Sequence, residues 1–188
     1  MTTAGAAELE GDAPGETDGE VQDTTFFTHS TYREKLIEHV FIAELLQEAW
    51  VKHRCVIEVL RAEIDASGFD VVLACGPFAR HIQLKATKAD GGGKKQGINT
   101  KLSEKPSGCV VWMIVDEDPV AGKMQLTYRY FGGLPGHPLP SLSSYPVAKR
   151  TTRNKKGERP ERPGIRDVPA AAFVRLVVPR TPESDNSV

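Results

Sequence analysis

Three polar side chains of different chemistry stand close together in the middle of the chain. Asp70, Gln83 and Lys85 fall within the stretch 68–87, GFDVVLACGPFARHIQLKAT. A carboxylate, an amide and an ammonium in that order suit phosphodiester hydrolysis. That reaction needs a hard divalent cation held by oxygen ligands with open positions, a water held for in-line attack, and a positive charge facing the charge that develops on the phosphate. Asp70 offers an ionic oxygen, Gln83 an amide oxygen, and the backbone carbonyl of Leu84 a third. Lys85 is placed to orient the water and stabilise the transition-state charge. Glu44, further upstream, offers a second carboxylate. The cation expected for such ligands is Mg²⁺ or Mn²⁺.

These residues need elements to hold them. Two short apolar runs, 71–73 and 82–84, flank a turn-like Gly76-Pro77. Strand side chains alternate faces. A strand over 81–87 therefore sets His81, Gln83, Lys85 and Thr87 on one face and Ile82, Leu84 and Ala86 on the other. Upstream, residues 30–52 carry Leu36, Ile37, Val40, Phe41, Leu45 and Leu46 at helical spacing, uninterrupted by Gly or Pro. Thr31 and Glu34 form a capping box at its start, with Ser30 an alternative cap. Glu44 falls beside Ile37, Val40, Phe41 and Val51 on that helix. A carboxylate on an apolar stripe is costly unless it is paired or metal-bound, although the same position also suits a residue at the edge of the interface.

The segment 55–63 alternates and reads as a first strand, 70–75 as a second and 80–87 as a third. A helix followed by three strands with short turns implies an antiparallel meander behind the helix. Residues 88–107 are polar, with three consecutive glycines, 91–93, and a weakly signalled short helix at 97–104. The run 108–116, GCVVWMIVD, is almost continuously apolar. Such a strand is buried on both faces and usually parallel to a neighbour, which 88–107 is long enough to reach as a crossover. Asp116, Glu117 and Asp118 read as a solvated turn, and 123–131 as a fifth strand.

Charge is unevenly distributed over the 188 residues, which suit one domain with tails. Residues 1–23 hold seven acids and no Lys or Arg, so the whole-chain charge of −1 leaves +6 on residues 24–188. Four domain segments are expected: an acidic disordered tail (1–28), a core (29–131), a segment combining a Pro-rich loop, a basic arm and a C-terminal docking stretch (132–180), and a frayed end (181–188). The docking stretch is expected to seat Phe173, Leu176 and Val177. Within the arm, Lys149, Arg150, Arg153, Lys155, Lys156, Arg159, Arg162 and Arg166 face only Glu158 and Glu161. A flexible basic loop of this kind suits phosphate contact. Cys55, Cys75 and Cys109 are far apart, without zinc spacing, and are expected as free thiols in a reducing cytoplasm. No apolar run approaches a membrane span, and no signal-peptide pattern appears at the N-terminus, so a cytoplasmic location is expected.

In order, a helix acid, a strand-initial Asp, a Gln-x-Lys tripeptide and a buried following strand resemble the PD-(D/E)xK nuclease superfamily over residues 30–131. That core is a helix, a three-stranded meander, a crossover helix and a further strand. The resemblance implies an α/β fold with a restriction-endonuclease-like core, a mixed central sheet of about five strands flanked by helices. It implies Asp70, Gln83, Lys85 and Glu44 as catalytic residues, with Asp70, Gln83, the Leu84 carbonyl and Glu44 on the metal. Gln83 replaces the usual Glu or Asp and is similar to the variant of modification-dependent type IV restriction enzymes. Asp65, within Glu63-Ile64-Asp65, is a rival to Asp70. The implied activity is metal-dependent cleavage of nucleic acid, with DNA the expected substrate and a homodimer the expected state for cutting both strands. The alternatives are an inactive nucleic-acid-binding protein on this fold and a protein-interaction module.

Overall fold

The computed structural model describes residues 30–62, 64 and 67–176. The acidic tail, Glu63, Asp65, Val177 and the C-terminal end lie outside the described residues. The chain forms two units, Met1–Lys35 and Leu36–Val188. The first enters here only through the opening residues of one long helix, α1 (Ser30–His53), and the packing below is that of the second.

After α1 come β1 (Glu58–Arg61), β2 (Val71–Cys75) and β3 (Phe78–Lys88), each antiparallel to the one before. The chain then crosses over through β4 (Lys95–Asn99) and a 3-10 turn, Thr100–Glu104, to β5 (Cys109–Asp118), which runs parallel to β3. Antiparallel β6 (Lys123–Gly132) follows, and β9 (Val174–Leu176) closes the far edge. The result is a mixed α/β structure around a six-stranded sheet, ordered β1-β2-β3-β5-β6-β9. β4, β8 (Glu161–Pro169) and β7 (Val147–Lys149) form a second, antiparallel sheet in the order β4-β8-β7.

Both faces of the large sheet are covered, which explains the continuous apolar run of β5. On one face Ile37, Phe41 and Ile42 of α1 pack on Val71, Ile82, Val111, Met113, Val115, Leu126 and Tyr128. On the other, Val110 and Trp112 meet Ile98, Leu102, Leu139, Leu142, Val168 and Phe173. Trp112 and Val110 are fully buried. Burying a side chain of this size stabilises the fold by roughly 1.5–3 kcal/mol. Among the described residues no helix is long and apolar enough to cross a membrane.

Four expectations need correction. The sheet has six strands rather than five, and α1 is the one α-helix among the described residues. The expected crossover helix at 97–104 is a strand followed by a 3-10 turn. Gly97 is costly within a helix, and here it lets β4 lie close to β8, since a Cβ at that position would stand 3.0 Å from Ile165. The flexible basic arm is instead a β-hairpin, β7–β8, anchored through β4. Finally, Cys55 and Cys75 are joined as a disulfide, leaving Cys109 as the free, buried thiol among the described residues. The antiparallel β1–β2 pairing brings together two cysteines that sequence spacing keeps apart.

Candidate active site

Asp70 sits one position before β2 begins. Its N–H donates to the carbonyl of Ile82 at 2.9 Å, and its own carbonyl accepts from Ala62 N–H at 3.2 Å. The β2–β3 register ends at Val71 opposite Ile82. One step further, Asp70 lies opposite Gln83. Its carboxylate Oδ2 accepts the backbone N–H of Leu84 at 2.7 Å. Leu84 is the residue between Gln83 and Lys85, so the carboxylate is held at the edge of β3 between those two. A strand residue directs its N–H and C=O to the same edge. The Leu84 carbonyl is therefore directed to the edge at which Asp70 lies.

Gln83 and Lys85 share a face, as alternation requires. In the parallel β3–β5 register they stand beside Val110 and Trp112, both in the cluster under the second sheet. Ile82 and Leu84 belong to the opposite, helix-covered face. Gln83 is buried and Lys85 half-buried. The Gln83 Oε1 accepts the backbone N–H of Asn99 at 3.2 Å. Further along the same face, Thr87 accepts a hydrogen bond from the indole N–H of Trp112. His81 lies over the Phe69 ring at 4.9 Å, with its Nδ1 2.9 Å from the carbonyl of Pro106.

Two residues that motif reasoning missed shape this edge. Gly68, at φ +77°, turns the chain into Asp70 and lies so close to Asn99 that a Cβ would stand 2.6 Å from the Asn99 Cγ. Asn99 caps the 3-10 turn, its Oδ1 accepting from Lys101 N–H at 3.1 Å, while its own N–H holds Gln83. The cap preference of Asn was a legible signal at that position. Gly68, Asn99, Asp70 and Gln83 thus form one connected group at the start of β2.

Glu44 does not join this group. Its Oε2 accepts a hydrogen bond from the Tyr128 hydroxyl at 2.5 Å. Tyr128 lies on β6 opposite Met113, in the helix-side cluster, so the sheet separates Glu44 from Gln83 and Lys85. Its apolar neighbours along α1 reflect a carboxylate at the interface edge with a phenolic partner. Burial, and then Glu44, push the Tyr128 hydroxyl far above its ordinary pKa. Asp65, the rival to Asp70, lies outside the described residues.

The remaining donors suit a hard divalent cation in type: one carboxylate, one amide oxygen and one backbone carbonyl. Carboxylate and amide oxygens each accept more than one interaction, so the Leu84 and Asn99 N–H contacts leave capacity on Asp70 and Gln83. Relative to the expected ligand set, one carboxylate is missing. Among the described residues no group of three or more His, Cys, Asp or Glu side chains converges as a metal site.

The eight basic residues of the arm are placed on the β7–β8 hairpin. Lys149 ends β7, and Arg162 and Arg166 lie within β8. Arg150, Arg153, Lys155, Lys156 and Arg159 occupy the exposed connection between them. No protein-family model matches the chain, and no curated protein or solved structure matches it.

Proposed function

We propose that this protein is a metal-dependent nuclease that hydrolyses phosphodiester bonds in DNA, on a restriction-endonuclease-like core. The observation that carries the reading is the Asp70 carboxylate held on the Leu84 N–H, at the β3 edge between Gln83 and Lys85. The element order supports it too: a helix, an antiparallel three-strand meander, a crossover, and a buried strand parallel to the third. The crossover differs from the superfamily pattern in being a strand and a 3-10 turn.

In this reading Asp70, Gln83 and the Leu84 carbonyl hold Mg²⁺ or Mn²⁺. A cation bound there supplies Lewis acidity toward the phosphate and lowers the pKa of water. Lys85 orients the attacking water and stands against the charge growing on the phosphate oxygens. Asn99 fixes the Gln83 amide so that its oxygen keeps one orientation. Cutting both strands of a duplex calls for two copies of a one-site chain, hence a homodimer.

A second reading is favoured by a specific observation. Gln83 brings no charge, and Glu44 is committed to Tyr128 on the other face. Such a site would bind nucleic acid without cutting it. The two readings separate when supercoiled and linear DNA are incubated with Mg²⁺, Mn²⁺ or EDTA, beside Asp70→Ala. The nuclease reading requires metal-dependent cutting that Asp70→Ala loses. Binding that persists without any cutting, with every metal, supports the second reading.

A further inference from the structure

We infer that the β7–β8 hairpin is a groove-binding ribbon that recognises duplex DNA. This deepens the nucleic-acid reading above and rests on it. Only the base of the hairpin belongs to the second sheet. β4 pairs with β8 from Ile165 to Pro169 and ends at Asn99, and Thr100 reaches just one step further, to the Gly164 carbonyl at 3.3 Å. Beyond that β7 and β8 pair alone, at Ala148–Arg162 and Lys149–Glu161, and residues 150–160 form the connection between them.

Residues 149–159 and 161–164 are all exposed. From 149 to 164 the sequence, KRTTRNKKGERPERPG, has no aliphatic or aromatic side chain apart from its prolines. A two-stranded hairpin with no apolar cover is marginal by itself, yet this one has a defined tip. Arg150 N–H donates to the Pro160 carbonyl at 2.8 Å, and Asn154 N–H to the Glu158 carbonyl at 2.8 Å. The Asn154 side chain accepts from Lys156 N–H and from Glu158 N–H, both at 2.9 Å. Gly157, at φ +77°, completes the turn, and the Arg153 guanidinium donates to its carbonyl. Seven basic residues, from Lys149 to Arg162, are thereby carried on a shaped ribbon opposed only by Glu158 and Glu161.

Chemistry and dimensions select the partner. The charge fits a polyanion. A single strand is gripped by aromatic stacking, and the ribbon has no aromatic residue. A-form RNA has a deep, narrow major groove that side chains do not enter. The B-form major groove, about 12 Å wide, admits a two-stranded β-ribbon. Paired strands stand roughly 5 Å apart, and the cross-chain hydrogen bonds at Arg150–Pro160 and Asn154–Glu158 keep the two sides of the exposed connection close beyond the last ladder pair, Lys149–Glu161. The ribbon therefore fits that groove, with Lys155, Lys156 and Arg159 against phosphates or base edges.

The test is fluorescence anisotropy in EDTA, so that binding is measured without cleavage, using labelled duplex DNA of about 20 bp, two helical turns. Single-stranded DNA of the same sequence and duplex RNA are compared with it. The full chain is set beside a Lys155→Ala, Lys156→Ala, Arg159→Ala variant. These exposed side chains lie outside the candidate active site, and circular dichroism and thermal melting check that the variant keeps its fold. Duplex DNA should bind tightest. The variant should lose affinity about 10- to 100-fold, and its slope of log K against log salt should shrink by about 0.9 per phosphate contact removed. Unchanged affinity and slope in the variant, no duplex binding by the full chain, or preference for single strands or duplex RNA would each overturn the inference. Duplex binding here, together with no cutting of plasmid by the full chain in Mg²⁺ or Mn²⁺, leaves the ribbon standing and removes the nuclease reading.

Discussion

A carboxylate that accepts a backbone N–H is fixed in position, and Asp70 is fixed in this way on Leu84. What sets the strength of the proposed metal site is then the charge beside it. Gln83 is neutral, and cation affinity rises with the charge of the ligands. Gln83→Glu should lower the Mg²⁺ concentration for half-maximal cleavage on the order of tenfold, measured by titrating Mg²⁺ in a plasmid-nicking assay. An unchanged midpoint would place Gln83 away from the metal. Gly68 positions Asp70 from the other side. Gly68→Ala puts a Cβ at φ +77° and 2.6 Å from the Asn99 side chain, which should cost about 1–3 kcal/mol in urea denaturation and weaken cleavage together with stability. Asp70, Gln83 and Lys85 were legible as a set because strand alternation and the short hairpin predict their placement. Glu44 was not. Helical spacing gave its stripe on α1, but its partner is Tyr128, 84 residues away on β6, and which face of the sheet α1 covers is decided by long-range packing.

At the scale of the elements, five of the six strands of the large sheet were legible to within a few residues, and the short edge strand β9 was not. Alternation marks β1 and β6, short apolar runs about a Gly-Pro turn mark β2 and β3, and the unbroken apolar run of β5 correctly implies two covered faces and a parallel partner. β8 was not legible, because Glu161–Pro169 contains two prolines besides its first residues' charge and a glycine, and it owes its strand form to pairing with β4 and β7. The crossover was misread for a similar reason: β4 has one fully buried residue, Ile98, and its conformation comes from β8. The α1–β6 contact carries a pH signature. Burial, and then Glu44, raise the Tyr128 pKa in the folded state. A raised folded value gives stability that is complete below the unfolded pKa of about 10 and is lost as pH rises above it. Tyr128→Phe should lose about 1 kcal/mol at pH 8, and its stability should fall less steeply than the parent's above about pH 10. Urea midpoints from pH 8 upward check both. Parallel curves for the two proteins would mean that the hydroxyl does not carry the alkaline loss.

At the scale of the whole molecule, one sheet separates two kinds of chemistry. The face toward α1 is apolar and holds the Glu44–Tyr128 contact. The face toward the second sheet carries Gln83, Lys85 and Thr87, and that second sheet extends into the basic hairpin. A catalytic edge and a charged ribbon thus belong to connected elements: β3 leads into β4, and β4 anchors β8. The basic composition of 149–166 was plain in the sequence, whereas its shape was hidden, since residues without apolar alternation give no strand signal. The most direct test of the account is one comparison of supercoiled plasmid incubated in Mg²⁺ with the parent chain and with Lys85→Ala, whose fold is first checked by circular dichroism. The parent should give nicked or linear product that disappears with EDTA, and Lys85→Ala should lose about 100-fold or more in rate. Equal cutting by both proteins, or no cutting by the parent in Mg²⁺ or Mn²⁺, would contradict it.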